Sequence, residues 1–196
     1  MKDALDMIRN EHRSLSAVVH AMRNLVARIR DDGGGRPDFD NLRAMLYYLD
    51  AYSARLHHPK EDEFLFQTLR ARDGGADTIV DELERDHARV AAAMRSLEQA
   101  LLRFEAGGER EFVAFATAVE GFSDFYLRHM DREETLVLPL AQKLFSDADW
   151  ARMEAACVPV REPQEGAQEE LELQQLFRRI VAARPSPDKQ RPAGAA

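Results

Sequence analysis

A chain of 196 residues, 45% hydrophobic and 32% charged, is long enough to bury one core and carry a short appendage. The net charge of −8, with no basic patch, argues against a nucleic-acid partner, and the one cysteine, Cys157, allows neither an internal disulfide nor a thiolate cluster. No apolar run reaches the roughly 18 residues a membrane span needs, and the opening MKDALDMIRNEH has no leader pattern, so the expected location is cytoplasmic.

The first predicted helix covers about 3–31, with Leu5, Ile8, His12, Leu15 and Val19 at steps of three and four, and the Gly-rich run at 33–35 ends it. The second runs from Asp38 to about Arg72 with Leu42, Met45, Leu46, Leu49, Ser53, His57, Glu61 and Phe64 on one face. Pro59 lies inside it and takes away the hydrogen bond to the carbonyl of Arg55, which predicts a kink or a restart there. The third covers about 76–106 through Leu83, His87, Val90, Met94, Leu97 and Leu101. The fourth covers about 109–145 through Phe115, Val119, Phe122, Tyr126, His129, Glu133, Leu136 and Leu140. Alternating steps of three and four with short connections predict an all-α, antiparallel up-down-up-down four-helix bundle over 1–145. Ser146 to Asp149 then reads as the cap of a short covering helix, 146–157. Residues 158–183 read as a linker and an amphipathic helix carrying Leu173, Leu176, Phe177 and Ile180. That helix is expected to dock on its own bundle, with a protein partner or a second copy of the chain as the alternative. The tail, 184–196, has the composition of a disordered segment.

Six chemically expensive residues fall on these apolar seams. His57 and Glu61 stand four apart, as do His129 and Glu133, so each pair puts an imidazole and a carboxylate one turn apart on one helix face. His12 and His87 lie early in the first and third helices, while the two pairs lie late in the second and fourth. Antiparallel neighbours therefore bring all six to one layer, given a rise of about 1.5 Å per residue. Leaving several buried charges unpaired would cost about as much as the whole stability of a domain this size, so the convergence points to metal ions, two of them by the count of pairs. Without thiolates, the ligands are nitrogen and oxygen, which suit iron better than magnesium or calcium, with zinc or manganese able to substitute.

HHPKEDEFLF at 57–66 and HMDREETLVLP at 129–139 resemble the two signature segments of the hemerythrin family, in particular its HHE cation-binding group. The resemblance spans about 3–145 and implies a bundle around a non-haem di-iron centre, with His12, His57, Glu61, His87, His129 and Glu133 at ligand positions and both glutamates bridging. Oxygen-carrying hemerythrins have a second histidine one turn along the third helix and an aspartate in the fourth-helix pair. Here Leu83 and Ala91 flank His87 at four residues, and the fourth helix offers Glu133. His58, beside His57, restores a fifth histidine and completes the expected metal set. The pattern is closer to the sensor-like and iron-sulfur-repair-like branches than to the oxygen carriers.

Asp62 and Glu134 are candidates to support ligands from beside the seams, and Tyr126 could donate a hydrogen bond to one. His20 is about 12 Å further along the first helix than His12 and some 80° off its face, so it is not expected to bind. Phe64 and Leu136 are the expected apolar walls of an open coordination position. Three functional classes follow: a di-iron module that binds, senses or scavenges O2, NO or peroxide; an enzyme or iron-sulfur-cluster repair protein using the same centre; or an iron-storage or structural metal bundle. No nucleophile–base pair or phosphate loop competes with the metal for the chemistry.

Overall fold

The computed structural model describes residues 2–31, 37–72, 74–157 and 166–182. Among them there is no strand, and no helix is long and apolar enough to cross a membrane. The first pass is α1 (Lys2–Asp31). The second begins with α2 (Phe39–Tyr52), started by the Asp38 carboxylate, which accepts from the Asn41 amide at 3.0 Å. It continues through a widened π turn (Ser53–His57), the single α turn α3 (His58–Lys60), a second π turn (Glu61–Phe66) and α4 (Gln67–Arg72). A 3-10 turn (Gly74–Ala76) leads to the third pass, α5 (Asp77–Gly107). Gly108 alone reverses the chain at φ +69°, ψ −150°, a conformation that favours glycine. The fourth pass is α6 (Glu109–Arg132), a π turn (Glu133–Val137) and α7 (Leu138–Leu144); α8 (Asp147–Cys157) and α9 (Gly166–Ala182) follow.

The restart predicted at Pro59 is present, and its form is a change of hydrogen-bond step. His58, just before the proline, donates its N–H to the carbonyl of Ser53, five residues back. The same device recurs before Pro139, where Leu138 donates to Glu133. A proline ring crowds the carbonyl four residues behind it, and a wider turn relieves that crowding with one extra residue. The extra residue rephases everything downstream. Beyond the π turns the buried residues are Leu65, Phe66 and Leu69 in the second pass, and Val137, Leu138 and Ala141 in the fourth. Phe64 and Leu140, expected on the seam, are only half-buried, and Leu136 is 53% exposed. The expectation that Phe64 and Leu136 wall the site is therefore corrected: an unbroken α period was extended across a turn that does not keep it.

Neighbouring passes meet in opposite residue order. Along α1, Ser16 reaches the Met130 sulfur at 3.8 Å, while Arg23 pairs with Asp124 at 3.2 Å and Glu120 at 2.7 Å. Between the second and third passes Arg43 meets Glu105 at 2.6 Å and Asp62 meets His87 at 2.8 Å. Between α5 and α6, Arg132 pairs with Glu82 and Asp86, and at the other end Phe104 packs on Phe115 and Phe112. The apolar core is in two parts. One holds Leu15 to Val26, Leu42 to Leu49, Val90 to Phe104 and Phe115 to Met130; the other holds Leu5, Ile8, Leu65, Phe66, Leu83, Val137 and Leu138. The polar residues lie between them in every pass.

The two C-terminal helices close opposite parts of this body. In α8, Ser146 and Asp149 form a reciprocal cap: the Asp149 amide lies 3.3 Å from Ser146 Oγ, and Ser146 N–H and Oγ donate to Asp149 at 2.9 and 2.7 Å. Trp150 and Met153 then pack into the second cluster. α9 docks on α1 and α2 as expected, burying Leu173, Leu176 and Ile180, with Phe177 5.7 Å from Tyr48 between ring centres. The face that could have served a partner is thus covered by the chain itself. The expected linker at about 158–167 lies outside the described residues up to 165, with α9 already begun at Gly166, and the tail at 184–196 lies outside them altogether.

Candidate metal centre

Each pass delivers part of the polar layer through the turn that crosses it. α1 brings His12 and α5 brings His87, both unbroken helices at this level. The second pass brings His57 at the end of one π turn, His58 at the next step and Glu61 at the start of another. The adjacent His57 and His58 are both buried. The fourth pass brings His129 from the last turn of α6 and Glu133 from the first residue of its π turn.

All seven candidate ligands converge. Glu61 and Glu133 are without solvent exposure and sit at the middle. His12 Nε2 lies 3.5 Å from Glu61 Oε1 and 3.3 Å from Glu133 Oε2; His57 Nε2 lies 3.4 Å from Glu61 Oε2. His87 Nε2 lies 3.5 Å from both carboxylates, and His129 Nε2 lies 3.2 Å from Glu133 Oε1. None of these approaches makes a hydrogen bond. The Nε2 atoms of all five histidines and all four carboxylate oxygens of the two glutamates are buried without a partner. Each such atom costs about 1–3 kcal/mol if it stays unsatisfied, and together they would exhaust a stability of about 5–15 kcal/mol. Their potential ligand atoms fall into groups within 4.8 Å of one another: His12, His57, Glu61 and Glu133 in one; His87, His129, Glu61 and Glu133 in another; and His58 with His87 and His129 in a third. Both glutamates are common to the first two groups, and each group could hold a metal cation.

The outward ring nitrogens are held by acids. His57 Nδ1 donates to Glu11 at 2.8 Å, His87 Nδ1 to Asp62 at 2.8 Å and His12 Nδ1 to Glu134 at 3.0 Å. Lys60 fixes Glu11 from the surface at 2.5 Å. Hydrogen bonds of this kind orient an imidazole ligand and turn its other nitrogen toward the ion. Asp62 and Glu134 thus stand where the sequence places supporting acids. Tyr126 does not touch a ligand atom through its hydroxyl, which pairs with Ser53 at 2.6 Å, while its ring lies parallel to that of His129 at 6.0 Å. His20 is exposed, away from the cluster.

Burial and the opposite charges gathered in the layer pull its titratable groups in different directions. Burial alone would push the His12 imidazole down, yet Glu133 and Glu61 outweigh it and hold its pKa at about 11. Burial opposes protonation of His87 in the same way, and Asp62, Glu133 and Glu61 bring it to about 11. Burial, with His87 and His57 nearby, pushes His58 well below the usual range, and burial lowers His129. Burial would raise the Glu61 carboxyl, but His57, His12 and His87 hold it well below its ordinary value. For Glu133, burial and Glu61 act upward and His129 and His12 outweigh them.

Sequence reading missed Glu11, Lys60, Asp86 and Ser53. Asp86 lies 4.0 Å from His129 Nδ1 and is tied to Arg132. Glu11 and Asp86 each directly precede a seam histidine, which is the one signal that could have singled them out; otherwise acids off the seam read as a solvated flank.

A comparison with family profiles matches residues 3–141 to the Hemerythrin HHE cation binding domain. Searches of curated proteins and of solved structures return no match. With its signature segments, its converging histidines and glutamates, and a profile match over most of its length, the chain belongs to the hemerythrin HHE cation-binding family.

Proposed function

We propose that the four passes form an antiparallel up-down-up-down bundle that holds two iron ions and uses them to bind, sense or scavenge a small ligand: O2, NO or peroxide. In this reading His12 and His57 would hold one ion, His58, His87 and His129 the other, and Glu61 and Glu133 would be shared between them. The observation that carries it is the set of buried, unpartnered Nε2 and carboxylate oxygens grouped around two shared glutamates. Five imidazoles with two carboxylates favour a first-row transition metal over magnesium or calcium. Iron bound there would supply a redox-active Lewis acid. The chain's own part is orientation and exclusion. Glu11, Asp62 and Glu134 each take a ring N–H and so present the opposite nitrogen inward. The apolar clusters on either side keep bulk water from the layer.

The test is metal analysis of protein from iron-supplemented cells, with optical spectra of the reduced protein before and after O2 or NO. Two irons per chain and a spectral change with either gas are expected, and Glu133→Ala should hold well below two irons. Full dinuclear occupancy in that variant, or two irons with no response to either gas, would overturn the reading.

A further inference from the structure

We infer that the cleft between the second pass and α5 is the inlet through which small uncharged solutes reach the centre, with Ala54 and Ala91 setting its size limit. This inference rests on the dinuclear reading above.

The cleft has a volume of about 210 Å³, with Ala54 and Ala91 on its walls, His58 and His87 among its lining, and Asp50 and Asp62 as its acids. Two larger clefts, about 530 and 490 Å³, include none of the seven candidate ligands in their lining. The exposure of the rings points the same way: His12, His57 and His129 are 2%, 0% and 1% exposed, whereas His58 and His87 are 6% and 8%. Solvent touches the layer on the His58–His87 side.

Ala91 is one turn beyond His87 on α5, and a side chain that ends at Cβ leaves that step open. Ala54 does the same from the facing pass. The space exceeds a diatomic molecule and holds several waters, each with a share of about 30 Å³. With His87 neutral as a ligand, the charged side chains lining the cleft are both acids and no lysine or arginine lines it, so the field of the lining disfavours anions relative to neutral molecules. At its inner end, His58 makes no hydrogen bond among the described residues and is held by stacking on His87, 3.9 Å between centres at 9°.

The experiment uses two readouts. In the zinc-loaded protein, which is diamagnetic, dissolved O2 serves as a paramagnetic probe of methyl relaxation by NMR. The Val90 methyls, 4% exposed, should relax faster with O2 than the Leu101 methyls of the same helix, 3% exposed and lining no cleft, and Ala91→Phe should abolish the excess at Val90 alone. In the iron-loaded protein, Ala91→Phe should slow NO association roughly tenfold at unchanged iron content, equivalent to a barrier raised by about 1.4 kcal/mol. Ala54→Leu, which plugs the facing wall, should act likewise and guards against a folding defect in one variant. Asp50→Asn should speed azide more than NO. No excess relaxation at Val90, or unchanged NO rates in both plugged variants at full iron content, would overturn the inlet. If the unsubstituted iron protein ignores NO, the dinuclear reading fails, and the relaxation pattern in the zinc protein still decides the route.

Discussion

His58 is buried beside His57 at the step where the second pass restarts, and no acid braces its ring. Its neighbours His57, His87 and His12 each have a carboxylate on the outward nitrogen. His58→Ala should therefore cost the ion on its side or change the spectrum, while His20→Ala, at an exposed position, leaves both unchanged. Equal metal content and identical spectra in both variants would remove His58 from the ligand set. The protons on His12 and His87 lead to a second measurement. Both rings hold a proton up to about pH 11 without metal and must give it up to become ligands. Metal uptake at neutral pH should release about two protons, read with an indicator dye in weak buffer. Apparent affinity should rise with pH across the whole range from about 6 to 8. A dependence confined below 6.5, the ordinary histidine value, would mean that the rings are neutral before the metal arrives.

At the scale of single elements, α8 shows how a short helix is fixed by its first turn. Arg72 reaches Asp149 with two nitrogens at 3.0 and 2.9 Å, and Arg72 first, then Ser146, hold that carboxyl below its usual value. The sign follows: the contribution is present above the ordinary aspartate range and is lost as pH falls through the depressed value. Ser146→Ala should destabilise this helix by about 1 kcal/mol, seen as an earlier change in the fluorescence of Trp150, the one tryptophan. An unchanged Trp150 transition would show that apolar packing alone seats α8. These capping residues were legible in the sequence because a serine and an acid three apart have one evident use. The helices and their seams were legible too, up to the ligands, because apolar residues recur there at the α period. Past Glu61 and Glu133 the reading drifted to Phe64, Leu136 and Leu140, since the prolines reveal a disturbance but not that it adds a residue to the turn. The seven converging side chains needed only the seams as far as the layer, plus, for His58, the lack of a second third-helix histidine. Glu11 and Asp86 stayed hidden because an acid beside a seam reads as a solvent-facing residue.

Across the whole molecule, a polar stratum separates two apolar cores, so the cohesion of the bundle depends on what fills that stratum. A ligand that binds only the folded chain stabilises it by about 2.7 kcal/mol per site at a hundred times its Kd. Stripping metal with a chelator should therefore lower the Tm by several degrees and speed amide exchange in the second cluster, at Leu69 and Leu138, more than at Val119 in the first. The second cluster is the smaller and is joined to the first only across the layer. A Tm insensitive to chelation would mean that proton-balanced pairing holds the stratum as well as cations do. α9 lies on the other side of that division, covering α1 and α2 above the layer, and should protect that part of the bundle from the loss.

The π turns also make the chain shorter in principle than it is in fact. Removing one residue from an α-helix turns everything after it by about 100°, which normally exposes a core face. Within Glu133–Val137 the same deletion would return the hydrogen bonds to a step of four and bring Val137 to the third place and Ala141 to the seventh after Glu133, the seam positions of an unbroken helix. Glu61–Phe66 behaves alike, with Leu65 and Leu69 moving to those places after Glu61. Loss of Glu63 should consequently leave the buried residues buried and the Tm within a few degrees of the full chain, whereas loss of Thr135 also sets the Pro139 ring back against the carbonyl four residues behind it and should cost about 3 kcal/mol more. Loss of Thr117, equally exposed but in the regular part of α6, should unfold it.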